Sequence, residues 1–209
     1  MDRLKTTINT FDKYADQYQE KFMNYEPYIE TYRNLSSLLK DDSEILDVAC
    51  GPGNICKFLL DENPLLKIHG IDLSPQMVNL AKSNNPTAVF EVMDSREISS
   101  INKKYDAIVA GFCLPYLSRE EAVQFIMNAR TIIRAGGIIY LSTMEGEYEN
   151  SGYQSNNTKD QVFIYYHQAK YLLGELESAG FEIINYKRKP FALDTESNTI
   201  DLFIYARAC

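Results

Sequence analysis

The chain has 209 residues, of which 45% are hydrophobic and 24% charged, the composition of an ordinary globular protein with a substantial core. Its formal net charge of -8 disfavours a non-specific grip on nucleic acid or on an anionic membrane, because both attract basic surfaces. No apolar run approaches the ~20 residues that a membrane helix needs, and we identify no secretory leader. We therefore expect one cytoplasmic domain over residues 1–209.

The first 40 residues predict two amphipathic helices separated by Pro27. Aromatic side chains recur at helical spacing in the first helix, at Phe11, Tyr14, Tyr18 and Phe22. Two interpretations remain open at this point. The helices cover the core of the protein, or the aromatic stripe covers a ligand.

From Glu44 onward, short apolar runs alternate with helical patterns, which predicts a parallel sheet with right-handed crossovers. The five predicted strands of this part are residues 44–50, 67–73, 88–93, 105–113 and 138–143. A capping box from Ser118 to Glu121 opens the last helix between them, and we expect Gly136 and Gly137 to end it.

The last part of the chain predicts a different connection. Residues 145–161 are polar and are expected to form a long surface loop, within a substrate-side segment over 145–167. Two final strands, at 181–187 and 202–206, are joined by a short segment without a helical pattern, so they should pair antiparallel. The predicted fold is α/β, with helices on both faces of a mostly parallel seven-strand sheet whose last strand is antiparallel.

A turn with two glycines follows the first predicted strand. The segment from Ile45 to Asn54 reads Ile-Leu-Asp-Val-Ala-Cys-Gly-Pro-Gly-Asn and leads into a helix. Such a turn gathers backbone N–H groups at the helix start, and glycine lets a ligand approach. About twenty residues later Asp72 ends the second strand, where a carboxylate can accept hydrogen bonds from ribose hydroxyls. The pattern predicts a nucleoside-containing cofactor.

Two more acids strengthen this prediction. Asp47 lies just before the glycine turn and Asp94 ends the third strand, so three acids converge where open α/β sheets bind ligands. The dinucleotide fingerprint G-x-G-x-x-G is incomplete, because Cys56 replaces its third glycine. A nicotinamide-dependent oxidoreductase is therefore the weaker alternative.

At these residues the chain resembles the class I S-adenosylmethionine-dependent methyltransferases. The matching segments are Leu46–Gly53, Gly70–Ser74, Val92–Asp94, Tyr105–Val109 and Arg134–Gly137. The resemblance implies a Rossmann-like three-layer sandwich with S-adenosyl-L-methionine as cofactor. It departs once, since Ala49 stands where the family's D-x-G-x-G-x-G pattern has its first glycine.

The resemblance also implies which residues hold the cofactor. The turn residues Asp47, Gly51 and Gly53, with Ala49 beside them, would surround its methionine portion. The implied roles of the others are Asp72 at the ribose, Leu73, Met77, Asp94 and Ser95 at the adenine, and Ala110 and Gly111 at the methyl-donor end. Tyr14 and Tyr18 resemble an aromatic segment that closes over the cofactor, so residues 1–40 are expected to form a helical lid.

Catalysis leaves little trace in such a sequence, because the sulfonium of the cofactor is already a strong electrophile. His167 and Tyr116 are only weak candidates for a catalytic role. The tetrapeptide Asn-Pro-Pro-Tyr of amino-methylating nucleic-acid enzymes is missing after the fourth strand, so we expect a small-molecule acceptor. We expect no nucleic-acid or membrane partner and either a monomer or a homodimer. A non-catalytic binding module and a protein methyltransferase remain alternatives.

The four cysteines, Cys50, Cys56, Cys113 and Cys209, have no metal-ligand spacing. We therefore expect reduced thiols and no metal site.

Overall fold

The structure, a computed structural model, describes residues 3–155, 160–191 and 199–209. The helices are α1 (Arg3–Lys13), α2 (Ala15–Phe22), α3 (Glu26–Ser36), α4 (Asn54–Glu62), α5 (Pro75–Asn84), α6 (Arg119–Ile132) and α7 (Ala169–Ser178). The strands are β1 (Glu44–Val48), β2 (Lys67–Asp72), β3 (Val89–Val92), β4 (Tyr105–Ala110), β5 (Ile133–Glu145), β6 (Gly152–Ser155), β7 (Gln161–Ile164), β8 (Phe181–Pro190) and β9 (Ile200–Ala208).

Seven of these strands form the central sheet, in the order β3-β2-β1-β4-β5-β9-β8. The pairs β2–β3, β1–β2, β1–β4 and β4–β5 are parallel. Strand β9 is antiparallel to both of its neighbours, β5 and β8. The predicted mostly parallel sheet with an antiparallel last strand is confirmed. The expected helix-free connection before β9 falls mainly on residues 192–198, which lie outside the described residues.

Helices pack on both faces of this sheet. On one face, α3, α4 and α5 bury side chains such as Leu35, Leu59 and Ala81 against Ile45 and Tyr140 of the strands. The side chains that α6 and α7 bury on the other face include Phe125, Ile126, Leu172 and Leu176. The inner strands are covered on both faces, which explains their nearly continuous apolar sequences. No helix in the described part of the chain is long and apolar enough to cross a membrane.

The end of α6 differs from its prediction. The helix stops at Ile132, and Gly136 and Gly137 lie inside β5. The register between β4 and β5 shifts between the pairs Tyr105–Ile133 and Ala107–Ile138. Gly136 has a φ of +76°, so the two glycines serve a bulge in a strand rather than the end of a helix.

The long surface loop expected over 145–161 is wrong in the residues that the structure describes there, while 156–159 lie outside them. Strands β6 and β7 form a two-stranded antiparallel sheet, in which Tyr153 pairs with Phe163. Their rings meet edge to face with centroids 5.0 Å apart. The polar composition of this segment did not predict a strand. The pairing is stabilised by an aromatic contact between the two strands, which the composition of one strand cannot indicate.

The N-terminal region is divided more finely than the sequence predicts. The first helical pattern is interrupted at Tyr14, whose φ and ψ of -112° and 23° separate α1 from α2. Helix α3 is part of the core, since Tyr28, Tyr32 and Leu35 are buried against the sheet. Of the residues 1–40 that the sequence assigns to a lid, α3 is therefore held by the body of the protein.

Candidate functional site

A cavity of about 310 Å³ lies at the carboxyl ends of β1, β2 and β4, beneath α1. Its floor includes the predicted site residues Ala49, Gly51, Asp72, Leu73, Met77, Asp94, Ser95 and Gly111. Its roof includes Leu4, Thr7, Ile8 and Phe11, which recur at helical spacing along one side of α1. Tyr18, Tyr116, Phe163 and Tyr165 complete the aromatic part of the wall.

The glycine turn has the conformation that its sequence requires. Gly51 and Gly53 have φ values of +54° and +78°, in the left-handed region that favours glycine. A Cβ atom on Gly53 would also lie 2.4 Å from the Asn85 amide nitrogen. Ala49 adopts a φ of 55°, which is costly for a residue with a side chain. The substitution of the family's glycine by Ala49 therefore strains the backbone at the cavity wall.

Asp72 is fixed at the end of β2 by two backbone amides. Its Oδ2 accepts a hydrogen bond from Gly51 N at 2.9 Å, and its Oδ1 accepts one from Ser74 N at 2.8 Å. Burial raises the pKa of this carboxyl. Since each carboxylate oxygen has more than one lone pair, Asp72 can still accept hydrogen bonds from a ligand in the cavity.

Asp94 is clamped by Arg96, a residue that the sequence does not single out. The Arg96 Nη2 atom lies 2.6 Å from Asp94 Oδ2, and its Nε atom lies 3.1 Å from Oδ1. Arg96 also binds Glu121 on α6 at 3.0 Å. Burial raises the pKa of Asp94, but the Arg96 hydrogen bonds outweigh it and hold that pKa below its usual value. Asp94 is therefore an oriented carboxylate at neutral pH.

Three other predicted residues lie outside the lining of the cavity. Asp47 is only 2% exposed, and burial together with Asp72 raises its pKa to about 8. Among the described residues, nothing hydrogen-bonds its Oδ2 atom. The other two are Gly53, which precedes α4, and Ala110, which ends β4.

Aromatic side chains join the roof to the wall. The Phe11 ring contacts Tyr18 and Tyr116 edge to face, with centroids 5.8 Å and 5.1 Å apart. Burial and Asp72 raise the pKa of Tyr18 to about 12, and burial raises the pKa of Tyr116 further. Both hydroxyl groups are therefore protonated at neutral pH and cannot serve there as bases.

Tyr14 and His167 lie away from the cavity. The Tyr14 hydroxyl donates to Asp160 Oδ2 at 2.5 Å. His167 is fully buried, and its Nε2 atom is 2.8 Å from the Leu114 carbonyl oxygen. That oxygen only accepts, so Nε2 carries the proton and Nδ1 accepts from Tyr171. Desolvation lowers the pKa of His167, and these two bonds use both of its ring nitrogens.

Helix α1 is held over the cavity on two sides. Asp12 Oδ1 accepts hydrogen bonds from Ser74 Oγ at 2.7 Å and from Gln76 N at 3.0 Å, at the start of α5. On the other side, Thr7 accepts from Phe163 N at 3.1 Å, and Thr10 donates to the Gln161 carbonyl at 2.9 Å. The sequence shows no signal for these residues, because their partners lie 62 to 156 positions away.

Comparison with known proteins finds methyltransferases with this architecture. A family model described as a methyltransferase domain matches residues 45–137, which contain the glycine turn, Asp72 and Asp94. A 1,6-didemethyltoxoflavin-N1-methyltransferase from Burkholderia thailandensis, solved with S-adenosylhomocysteine, has the same fold with a TM-score of 0.73. The alignment covers 98% of this chain and 88% of that one at 15% identity.

Over residues 45–137 the chain matches the methyltransferase-domain family, and it shares its fold with methyltransferases of known structure.

Its curated relatives in this methyltransferase family include proteins with different acceptors. It is 42% identical to the trans-aconitate 2-methyltransferase of Enterobacter sp. (strain 638) over 48% of this chain and 39% of that protein. It is 23% identical to the tRNA N(3)-methylcytidine methyltransferase trm141 of Schizosaccharomyces pombe, over 95% of this chain and 89% of the relative. The chain spans about half the length of two other curated relatives, 42% and 48%.

S-adenosyl-L-methionine is the cofactor that the resemblance to methyltransferases implies. The residues present fit it at the cavity floor, where Asp72 faces the cavity with acceptor capacity to spare. Gly51 and Gly111 have no side chains, so a ligand in the cavity can approach the backbone at these two lining positions.

Proposed function

We propose that this chain transfers a methyl group from S-adenosyl-L-methionine to a small-molecule acceptor. The observation that carries the proposal is the cavity between sheet and α1, in which an oriented Asp72 lies on the floor and an apolar stripe of α1 lies on the roof. Both the fixed carboxylate and the cover are what a buried transfer site requires.

In this proposal the carboxyl edge of the sheet holds the cofactor. Asp72 accepts the ribose hydroxyls, Asp94 accepts the adenine amino group, and Leu73 and Met77 flank the adenine. The Ser95 backbone lies beside Asp94. The turn residues Asp47, Ala49, Gly51 and Gly53 surround the methionine portion. Ala110 and Gly111 are assigned to the methyl-donor end.

When bound, S-adenosylmethionine supplies an electrophilic methyl group on a sulfonium, so the protein has to align a nucleophile and exclude water. The described lining contains no histidine or lysine, and Tyr18 and Tyr116 are protonated at neutral pH. Of its carboxylates, Asp72 and Asp94 are assigned to the cofactor and Glu121 is paired with Arg96. We therefore propose that the acceptor atom is nucleophilic without the help of a protein base. Tyr116 and Phe11 would contact the acceptor as packing surfaces.

We propose that the lid consists of α1 and α2 rather than of all residues 1–40. Helix α1 lines the cavity through one side and is held there by hydrogen bonds at its flanks and by the ring contacts of Phe11. A chain that starts at Ala15 should stay folded, bind S-adenosylhomocysteine more weakly and lose turnover. Its melting curve and isothermal titration against the full chain test this. Unchanged affinity in the shortened chain would contradict the lid.

The nature of the acceptor needs a direct experiment, because the trm141 relative acts on tRNA. A small-molecule acceptor is favoured by the roofed cavity of about 310 Å³ and by the net charge of -8. The experiment supplies methyl-labelled cofactor to two fractions of one cell extract, total RNA and metabolites below ~1 kDa. Label in the metabolite fraction supports the proposal. Label confined to RNA makes this chain an RNA methyltransferase, and label in neither fraction with bound cofactor favours a binding module.

A further inference from the structure

Asp12 connects the roof of the cavity to its floor. Its Oδ1 atom accepts from the Ser74 hydroxyl at 2.7 Å and from Gln76 N at 3.0 Å. Helix α5 is already capped by its own residue, since Ser74 Oγ accepts from Met77 N at 3.2 Å. The contacts of Asp12 are therefore additional to what a helix of this sequence needs.

Ser74 is shared between two carboxylates. Its hydroxyl donates to Asp12 on α1, while its backbone N–H donates to Asp72 Oδ1 at 2.8 Å. Ser74 is 2% exposed, so water offers no ready substitute for either partner. The three residues form one chain of hydrogen bonds from the roof helix to the carboxylate assigned to the ribose.

We propose that Asp12 is a positioning residue that couples the seating of α1 to the grip of Asp72 on the cofactor. With α1 seated, Asp12 holds Ser74, and Ser74 fixes the Asp72 oxygen that meets the ribose. When α1 leaves, the Ser74 hydroxyl and the Gln76 amide lose their acceptor, and the loop that carries Asp72 loosens. The inference rests on the proposed function, because it requires the cofactor at Asp72.

The first test compares three variants by titration with S-adenosylhomocysteine. Asp12→Ala removes the acceptor and should weaken binding on the order of tenfold, the effect expected for hydrogen bonds to a charged group. Asp12→Asn keeps an acceptor oxygen and should stay within about threefold of the wild type. Asp61→Ala is the matched control, an exposed acid on α4 away from the cavity, and should bind like the wild type. Equal affinities of Asp12→Ala and Asp61→Ala would overturn the inference.

A double-mutant cycle separates positioning from a general loss of structure. Asp12→Ala is combined with Asp72→Asn, and affinities and melting temperatures are measured for all four proteins. If Asp12 acts through Asp72, its substitution should have little further effect on affinity once Asp72 is changed, while both substitutions still affect melting. Independent losses of affinity in the double variant would overturn the positioning role.

Hydrogen exchange of the ligand-free protein tests the contact without the cofactor. Asp12→Ala should lower the protection of α1 amides and of the Gln76 amide, while the core of β4 keeps its protection. If Asp12→Ala leaves the protection of these amides unchanged while the wild type binds S-adenosylhomocysteine, the coupling is overturned and the proposed function is not. A wild type that binds no S-adenosylhomocysteine would instead overturn the proposed function and, with it, the positioning role.

Discussion

The floor and the roof of the cavity are built in opposite ways. The floor carries locally unfavourable features: left-handed backbone at Ala49 and Phe112 and, in the strand behind it, a buried Asp47 carboxyl with a raised pKa. The roof carries side chains with satisfied hydrogen bonds, such as Thr7 and Asp12, which reach partners far along the chain.

Strained conformations persist only where the surrounding structure holds them, and the floor is backed by the central strands of the sheet. Helix α1 is held by hydrogen bonds at its flanks and by the ring contacts of Phe11. We propose that these contacts open without disturbing the sheet. A cofactor site needs both properties, a fixed grip and a cover that opens to admit the ligand. The following predictions test the contrast, from the largest expected effect to the smallest.

The largest effect should come from removing residues 1–41, because this takes α3 as well as the roof. Helix α3 contributes Tyr28, Tyr32 and the fully buried Leu35 to the core. Loss of each such side chain costs about 2–5 kcal/mol, and a whole domain has only about 5–15 kcal/mol of stability. The shortened chain should show no cooperative thermal transition by circular dichroism. A cooperative transition like that of the full chain would mean that α3 belongs to the roof.

Replacing Asp72 by Ala should abolish most of the affinity for the cofactor. Two charge-assisted hydrogen bonds of about 1.5–3 kcal/mol each correspond to a loss of about 100-fold or more. Isothermal titration with S-adenosylhomocysteine measures this loss, and circular dichroism verifies the fold. Asp61→Ala is the control, since that acid is exposed on α4 and paired only with Lys57. Wild-type affinity in folded Asp72→Ala would remove this residue from the site.

Asp47 should make the ligand-free protein less stable as pH rises. Burial keeps its proton bound in the folded state up to about pH 8, whereas an unfolded aspartate loses it near pH 4. The folded state therefore binds more protons between these limits, so the free energy of unfolding falls with pH, by at most about 1.4 kcal/mol per pH unit. Urea unfolding at several pH values should show this slope, and Asp47→Asn should reduce it. Identical slopes in both proteins would contradict the assignment.

The smallest effect should be a gain in stability from Ala49→Gly. A left-handed residue with a side chain costs about 1–2 kcal/mol, and the entropy of glycine offsets about 0.5–1 kcal/mol of that. The net gain should be about 0.5–1 kcal/mol in urea unfolding. Ala107→Gly is the matched control, because Ala107 lies buried in β4 with no positive φ, and it should be destabilised. A loss of stability in Ala49→Gly would mean that packing of the Ala49 methyl group stabilises the protein by more than the backbone strain destabilises it.

Most of the floor was predictable because its determinants are local. The strand, the two glycines and Asp72 lie within 30 residues, the predicted fold is confirmed, and the methyltransferase resemblance is supported by the family match over residues 45–137. The roles of the individual residues stay predictions. The errors at Gly136 and in the two-stranded sheet of β6 and β7 arose where pairing with another strand decided the local structure.

The amino-acid sequence by itself determined the alternation of strands and helices, the glycine turn and the acids at the strand ends, because hydrophobic periodicity and backbone freedom act within a few residues. Only the tertiary structure decided that Arg96 reaches Glu121, that α3 is core and that Asp12 reaches Ser74. Each of these depends on side chains brought together by chain folding, and contacts between residues far apart in the chain leave no periodic pattern in the sequence. The position of α1 over the cavity is therefore a property of the folded molecule rather than of any one segment.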